Sequence, residues 1–249
     1  MERWVGKVVV VTGASAGIGA SIVEELVRHG MVVVGFARRE DRLKELAEKL
    51  SGEKGKLHPY LVDICNEEDV KTAFKQIKDK FGKVHALVNN AGITRNVMLS
   101  GMEKPDVIRE LFETNVIALS LCTGQAVNLM KETGVDDGHI IHINSVAGHS
   151  ILPFCGHHTY GATKHAVTVL TEGLRKELME AKSKIRVTSV SPGLVKTEIF
   201  QAAGSEGDIY KENPHLNPKD VADCVVFALG MPPHVQIHEV SVKPVGEFI

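Results

Sequence analysis

Little in this 249-residue sequence is extreme, and each shortage removes a class of function. It has 4 cysteines, Cys65, Cys122, Cys155 and Cys224, scattered and without metal-ligand spacing. That excludes a disulfide scaffold and points to a reducing, cytoplasmic setting. No apolar run is long enough to span a bilayer. Met1-Glu2-Arg3-Trp4 leads into an apolar segment broken by Gly, Ser and Thr, the wrong order for a secretory signal. An excess of one charge is also missing. With 29 Lys+Arg against 31 Asp+Glu, the net charge of -2 gives no reason to expect nucleic acid or an anionic membrane as partner. Even the Lys/Glu-rich stretch Arg38–Lys56 alternates in sign and reads as a solvated helix.

What is present is an ordinary globular balance, 43% hydrophobic and 24% charged, enough for a large core. Short apolar runs at Val8–Thr12, Met31–Ala37, Leu57–Asp63, Val84–Asn89, His139–Asn144, Ile185–Ser191 and Glu239–Val242 read as strands. Several lack polar alternation, as strands covered on both faces do. Between them the spacing predicts helices at Ile18–His29, Glu40–Leu50, Glu67–Phe81, Pro105–Lys131, Thr159–Ala181 and Asp220–Leu229. Repeated strand–helix units imply a parallel sheet wound with helices on both sides. No repeat, low-complexity tract or linker divides the chain, so residues 1–249 are expected to form one domain. The irregular stretch Thr197–Pro218, with Gly204, Gly207, Pro214 and Pro218, reads as a mobile flap over a site.

Two helices carry little charge. Thr114–Met130 has no charged side chain, and the first turns of Thr159–Ala181 have only Lys164 and His165. On the latter, Ala162, Ala166, Leu170, Leu174 and Leu178 form one stripe, with Tyr160, Lys164, Val167 and Thr171 on another face. Such helices are buried on more than one side. The sheet covers one face, and a second subunit is a reasonable cover for the rest, giving a homodimer or homotetramer.

The first strand runs into Thr12-Gly13-Ala14-Ser15-Ala16-Gly17-Ile18-Gly19 and directly into a helix. Glycines let a pyrophosphate touch the backbone, and the helix N-terminus offers free N–H groups to the anion. The same spacing also serves close packing of strand on helix. At the end of the second strand stands Phe36-Ala37-Arg38-Arg39, where an NAD enzyme usually has an acid for the ribose 2′-hydroxyl. A guanidinium fork suits a 2′-phosphate, which favours NADP(H) over NAD; the alternative is a pair of surface charges opening the next helix. Asp63, at the third strand end, falls near the adenine edge or is a plain residue of the next helix's N-cap region.

Tyr160 and Lys164 lie four apart on one helix and share a face. A free phenol has a pKa of ~10, so acid/base work near neutrality asks for ~3 units, or ~4 kcal/mol. A cation about 4 Å away at an effective dielectric of ~20 supplies ~4 kcal/mol. Lys164 and the positively charged nicotinamide ring are both placed to be that cation.

Thr12–Gly19, Asn89-Asn90-Ala91-Gly92, Asn115, Ser145, Tyr160-Gly161-Ala162-Thr163-Lys164 and Pro192-Gly193 together resemble, in order and spacing, the short-chain dehydrogenase/reductases. The resemblance covers nearly the whole chain and implies an α/β, single-domain, Rossmann-type doubly wound parallel sheet of about seven strands. Asp137-Gly138-His139-Ile140, Ala166–Leu178 and Val235–Glu247 are similar more narrowly to the insect farnesol dehydrogenase-like subgroup, itself similar to vertebrate NADP-dependent ketosteroid reductases.

The resemblance implies an NADP(H)-dependent oxidoreductase interconverting an alcohol and a carbonyl on a lipophilic small molecule, such as farnesol or a steroid. Tyr160 is then the proton donor or acceptor, Ser145 polarises the same oxygen, Lys164 holds the nicotinamide ribose, and Asn115 anchors a proton-relay water. Gly13, Ser15, Gly17, Ile18 and Gly19 would bind the cofactor with Arg38, Arg39, Asp63, Ile64, Asn90, Ala91 and Gly92. Pro192, Gly193, Val195 and Thr197 would line the nicotinamide. Ala16 departs from the pattern, since many NADP-preferring relatives have a basic residue there. Expected substrate neighbours are Ser145, Tyr160, His149, Phe154 and Leu194, with Ile93, Val146, Leu152, Phe200, His157 and His158 around them. His142, His149, His157 and His158 have no acid or cysteine partner at metal spacing, so no metal is expected.

Two rivals compete with this reading. Nucleotide-sugar epimerases and dehydratases on the same scaffold carry a separate C-terminal domain, for which 249 residues leave no room. A non-catalytic dinucleotide sensor predicts a broken Ser/Tyr/Lys set, whereas all three are present.

Overall fold

The computed structural model describes residues 1–101, 105–204, 209–211 and 213–247. Its strands are β1 (Val8–Thr12), β2 (Val32–Ala37), β3 (Lys56–Leu61), β4 (Ala86–Asn89), β5 (His139–Ile143), β6 (Arg186–Pro192) and β7 (Glu239–Val242). Its helices are α1 (Gly17–Arg28), α2 (Glu40–Lys49), α3 (Glu67–Phe81), α4 (Pro105–Phe112), α5 (Ala118–Glu132), α6 (His158–Glu180), α7 (Ile199–Ala202) and α8 (Pro218–Gly230).

The seven strands form one parallel sheet in the order β3-β2-β1-β4-β5-β6-β7. Alternate β1 residues feed opposite layers. Val9 and Val11 pack with Ile22 and Leu26 of α1, Leu43 of α2, and Val225 and Leu229 of α8. Val8 and Val10 pack with Phe74 and Ile77 of α3 and Ala126 and Met130 of α5. Both faces are therefore covered, which is why β1 is an unbroken apolar run. Strand order reverses between β1 and β4, and in such sheets the crevice beyond the strand ends at that point receives ligands.

Local chemistry sets the helix ends. Asn66 accepts bonds from the N–H groups of Glu68 and Asp69, three acids fill the first turn of α3, and Gly82 ends it at φ 75°. Asn217 and Asp220 form a capping box on α8, with Pro218 in the first turn.

One expectation is corrected. The single helix expected over Pro105–Lys131 is interrupted by a π-helical turn at Glu113–Ile117, between α4 and α5. On α6, Lys164, Val167 and Thr171 face inward, while Ala162 and Leu170 of the apolar stripe are exposed. Leu178 of that stripe is buried and Leu174 packs against the core, so both faces meet the protein in part. The segment expected as a flap is fastened at its base, where Val195 pairs with Leu216, and it contains α7; Gly207 lies outside the described residues. Among the described residues no helix is long and apolar enough to cross a membrane, and no group of His, Cys, Asp or Glu could hold a metal ion.

Candidate active site

The glycine loop occupies the switch point and cannot tolerate side chains there. Gly13 and Gly17 have φ of 65° and 54°, and a Cβ at Gly19 would run into the Gly13 carbonyl oxygen. A Cβ at Gly13 would stand 2.9 Å from Ala91 Cα. Asn90 Nδ2 donates to the carbonyls of Thr12 (3.0 Å) and Gly13 (3.3 Å), while Thr12 Oγ1 accepts from the N–H groups of Asn90 and Ala91, both at 3.0 Å. These bonds lock the β4 exit to the loop. α1 starts without a side-chain cap, since Ala16 precedes it, so its first N–H groups face the crevice with no competing oxygen from that position. The cradle fits a pyrophosphate.

At the β2 end, Arg38, Arg39, Glu40, Asp41, Arg42 and Leu61 line an open depression of about 490 Å³. Arg39 Nε donates to Ser15 Oγ at 3.3 Å, drawing that guanidinium toward the glycine loop. Asp63 Oδ1 accepts from the Cys65 N–H at 3.1 Å, so its carboxylate stabilises the turn into α3, and Ile64 packs against the second core layer. Those two residues stand at the strand end as expected, but both are also committed to local structure.

β5 delivers Ser145. Its Oγ accepts from the Ala147 N–H at 3.1 Å, opening a 3₁₀ turn at Val146–Gly148 that lies against α6. α6 brings up Tyr160, whose ionised form the Ser145 side chain favours. Lys164 Nζ donates to the Ile143 carbonyl at 2.9 Å and stands 5.8 Å from the centre of the Tyr160 ring. Burial pushes the Tyr160 phenol up to about 12, the Ser145 bond opposing it, and lowers the Lys164 ammonium to about 8. Desolvation is the leading cause at both groups, and Lys164 gives its hydrogen bond to a backbone carbonyl.

Asn115 sits inside the π turn, a distortion that recurs at functional sites. Its Nδ2 donates to the Ile93 carbonyl (2.9 Å) and to Thr163 Oγ1 (3.1 Å), and its Oδ1 accepts from the Ile93 N–H (2.9 Å). A Cβ on Gly92 would lie 3.3 Å from Asn115 Oδ1 and 4.0 Å from Lys164 Nζ. Asn115, Gly92 and Lys164 are thus gathered at one point.

Beyond β6, Pro192 ends the strand, and the Gly193 and Leu194 N–H groups donate to the Val242 carbonyl and to Glu247 Oε1, both at 2.8 Å. Val195 is buried. Thr197 meets the glycine loop, its Cγ2 standing 3.1 Å from where a Gly17 Cβ would be. The histidines separate by role. His142 is buried between Thr123 and Thr171, and burial lowers it to about 3, which makes it a neutral core residue. His149 Nε2 lies 3.2 Å from both Ser191 Oγ and Glu239 Oε1, a commitment its expected substrate role did not foresee. His158 Nε2 donates to the Leu152 carbonyl at 3.2 Å, and the His157 ring stands 6.4 Å from that of Phe200 on α7. Phe154 is exposed at the rim.

A family model described as short chain dehydrogenase matches residues 7–207. The chain belongs to that family. This short chain dehydrogenase is 48% identical over 248 residues to the farnesol dehydrogenase of Aedes aegypti, covering 99% of each chain. It is 46% identical to dehydrogenase/reductase SDR family member 11 of Gallus gallus, covering 100% of each. An alcohol dehydrogenase from the archaeon Thermococcus sibiricus, solved with 5-hydroxy-NADP, superposes with a TM-score of 0.86 at 27% identity, over 98% of each chain. The protein is accordingly an oxidoreductase acting on CH–OH groups with a nicotinamide dinucleotide as cofactor.

Sequence reasoning missed Arg42 and Glu198. Arg42 follows Arg39 by one helical turn, a signal that was available. Glu198 meets Arg39 across 159 residues of chain, and nothing local marks it.

Proposed function

We propose that this single-domain dehydrogenase uses NADP(H) to interconvert an alcohol and a carbonyl on a lipophilic substrate of the farnesol class. The observation that carries the reading is Tyr160 on α6 coupled to the Ser145 side chain, with the Lys164 ammonium 5.8 Å from its ring. When bound, the nicotinamide supplies or accepts the hydride. Tyr160 gives a proton to the carbonyl oxygen or takes one from the alcohol. The Ser145 hydroxyl donates to the same oxygen, the Ala147 N–H fixing its orientation. Lys164 orients the nicotinamide ribose, and Asn115 completes the proton path from its place beside Gly92.

Gly13, Ser15, Gly17, Ile18, Gly19, Asn90, Ala91 and Gly92 would hold the pyrophosphate and central ribose, with Asp63 and Ile64 toward the adenine. Pro192, Gly193, Val195 and Thr197 would line the nicotinamide. Arg38 and Arg39 are well suited to a 2′-phosphate, and Arg42 adds a third cation to their depression. His149, Phe154 and Leu194 are assigned to the substrate side. Apolar Met98, Leu99, Ile151 and Phe154 are exposed on the loops after β4 and β5, which a backbone bond from Val97 to Gly156 ties together. An apolar rim of this kind suits an isoprenoid.

A second reading is a ketosteroid or general carbonyl reductase, since the same exposed apolar rim of Met98, Leu99, Ile151 and Phe154 suits a steroid as well. The exposed apolar residues Ile117, Val169 and Leu170 on the π turn and α6 support a homodimer or homotetramer. Four unpaired cysteines fit a cytoplasmic location. A panel of farnesol, retinoid, steroid and small-ketone substrates, followed by reduced-nicotinamide absorbance, tests the substrate class. Farnesol turnover several-fold above the ketones supports the first reading, and the reverse order supports the second.

A further inference from the structure

The segment leading into α7 carries an acid that neither the hydride chemistry nor the dinucleotide cradle uses. Glu198 Oε2 lies 3.1 Å from Arg39 Nη1, and both of its oxygens meet Arg42 Nη1, at 3.0 and 2.8 Å. The two arginines hold its carboxylate below the usual range through these bonds, so it is an anion at neutral pH. Arg39 is also tied to Ser15 of the glycine loop. One carboxylate therefore occupies two of the three guanidinium groups in the depression proposed for the ribose 2′-phosphate.

A carboxylate and a phosphate make the same demand of arginine, paired N–H donors in a planar fork. Two anions on the same guanidinium groups repel, so one must give way. Glu198 can leave without dismantling the loop. Its neighbour Thr197 is fixed through its backbone, the Tyr210 hydroxyl donating to the Thr197 carbonyl at 2.9 Å and accepting from its N–H at 3.2 Å. The Glu198 side chain is half exposed, and a rotation takes it into solvent.

We propose that Glu198 is a specificity-determining residue of the cofactor site, its carboxylate competing with the 2′-phosphate for Arg39 and Arg42 and so narrowing the preference for NADP(H) over NAD(H). This rests on reading the arginines as the 2′-phosphate site. Each Glu198 pair is solvent-exposed, so the effect is several-fold, not thousands-fold.

The test is calorimetric binding of adenosine 2′,5′-bisphosphate and of 5′-AMP to the wild-type protein, Glu198→Gln and Arg39→Ala/Arg42→Ala. Glu198→Gln is expected to bind the bisphosphate roughly 3–10-fold tighter while 5′-AMP is unchanged. A bisphosphate affinity in Glu198→Gln that is unchanged or weaker overturns the proposal, as does equal tightening of both nucleotides. The arginine variant separates the two layers. If it loses the bisphosphate preference while Glu198→Gln changes nothing, the arginines bind the phosphate and Glu198 does not compete. If it keeps that preference, Arg39 and Arg42 do not bind the phosphate, and the competition for them falls.

Discussion

Lys164 gives its hydrogen bond to the carbonyl of Ile143, not to the phenol of Tyr160, although its nitrogen stands 5.8 Å from the centre of that ring. Burial lowers the ammonium to about 8 and raises the phenol to about 12. It thus favours the protonated phenol at Tyr160, with the Ser145 side chain opposing it.

Turnover in the reduction direction should fall as pH rises through about 8, where Lys164 loses its charge. Arginine stays charged over this range, so the residual turnover of Lys164→Arg should lack that limb. A pH–rate profile of both proteins checks this; a limb near 8 that persists in the variant means that another group titrates.

Gly19 is closed to any side chain because a Cβ would meet the Gly13 carbonyl oxygen. Gly19→Ala should cost about 1–3 kcal/mol of stability through local overpacking and weaken dinucleotide binding at least about tenfold. Gly52, with nothing within 4 Å of its would-be Cβ, should accept alanine without loss. Denaturation midpoints and cofactor titration of both variants measure the contrast.

The buried histidine predicts acid sensitivity with a definite sign. His142 is lowered to about 3 by burial, so between the ordinary imidazole value of ~6.5 and about 3 the unfolded chain binds a proton that the folded chain refuses. Its contribution to stability is thus complete above ~6.5 and is lost as pH falls toward 3. Melting temperature should drop more steeply between pH 6.5 and 4.5 in the wild type than in His142→Gln, even though the variant starts lower. Parallel slopes would assign the acid sensitivity to other groups.

Much of this was written locally in the chain. α3 spans Glu67–Phe81 as its spacing, Asn66 and Gly82 dictate, and β1 and β7 have the expected bounds. The glycine loop and the Ser145, Tyr160, Lys164 set were legible because each lies at the end of a recognisable strand or on one helix face. The π turn was not, since one extra residue per turn barely changes an apolar pattern between α4 and α5. On α6, Lys164 and Thr171 are buried, Thr171 beside His142, a contact that only the packed neighbouring strand creates. The raised phenol depends on burial by distant segments, and the contact of Glu198 with Arg39 joins residues far apart in sequence.

Substituting the single oxygen on which the account depends gives its most direct test. Tyr160→Phe should bind the dinucleotide within about twofold of the wild type and lose roughly 10²–10⁴-fold in turnover, the range for removing a positioned acid or base. Turnover within a few-fold of the wild type, with cofactor bound, would contradict the assignment of Tyr160 as the proton-transferring group.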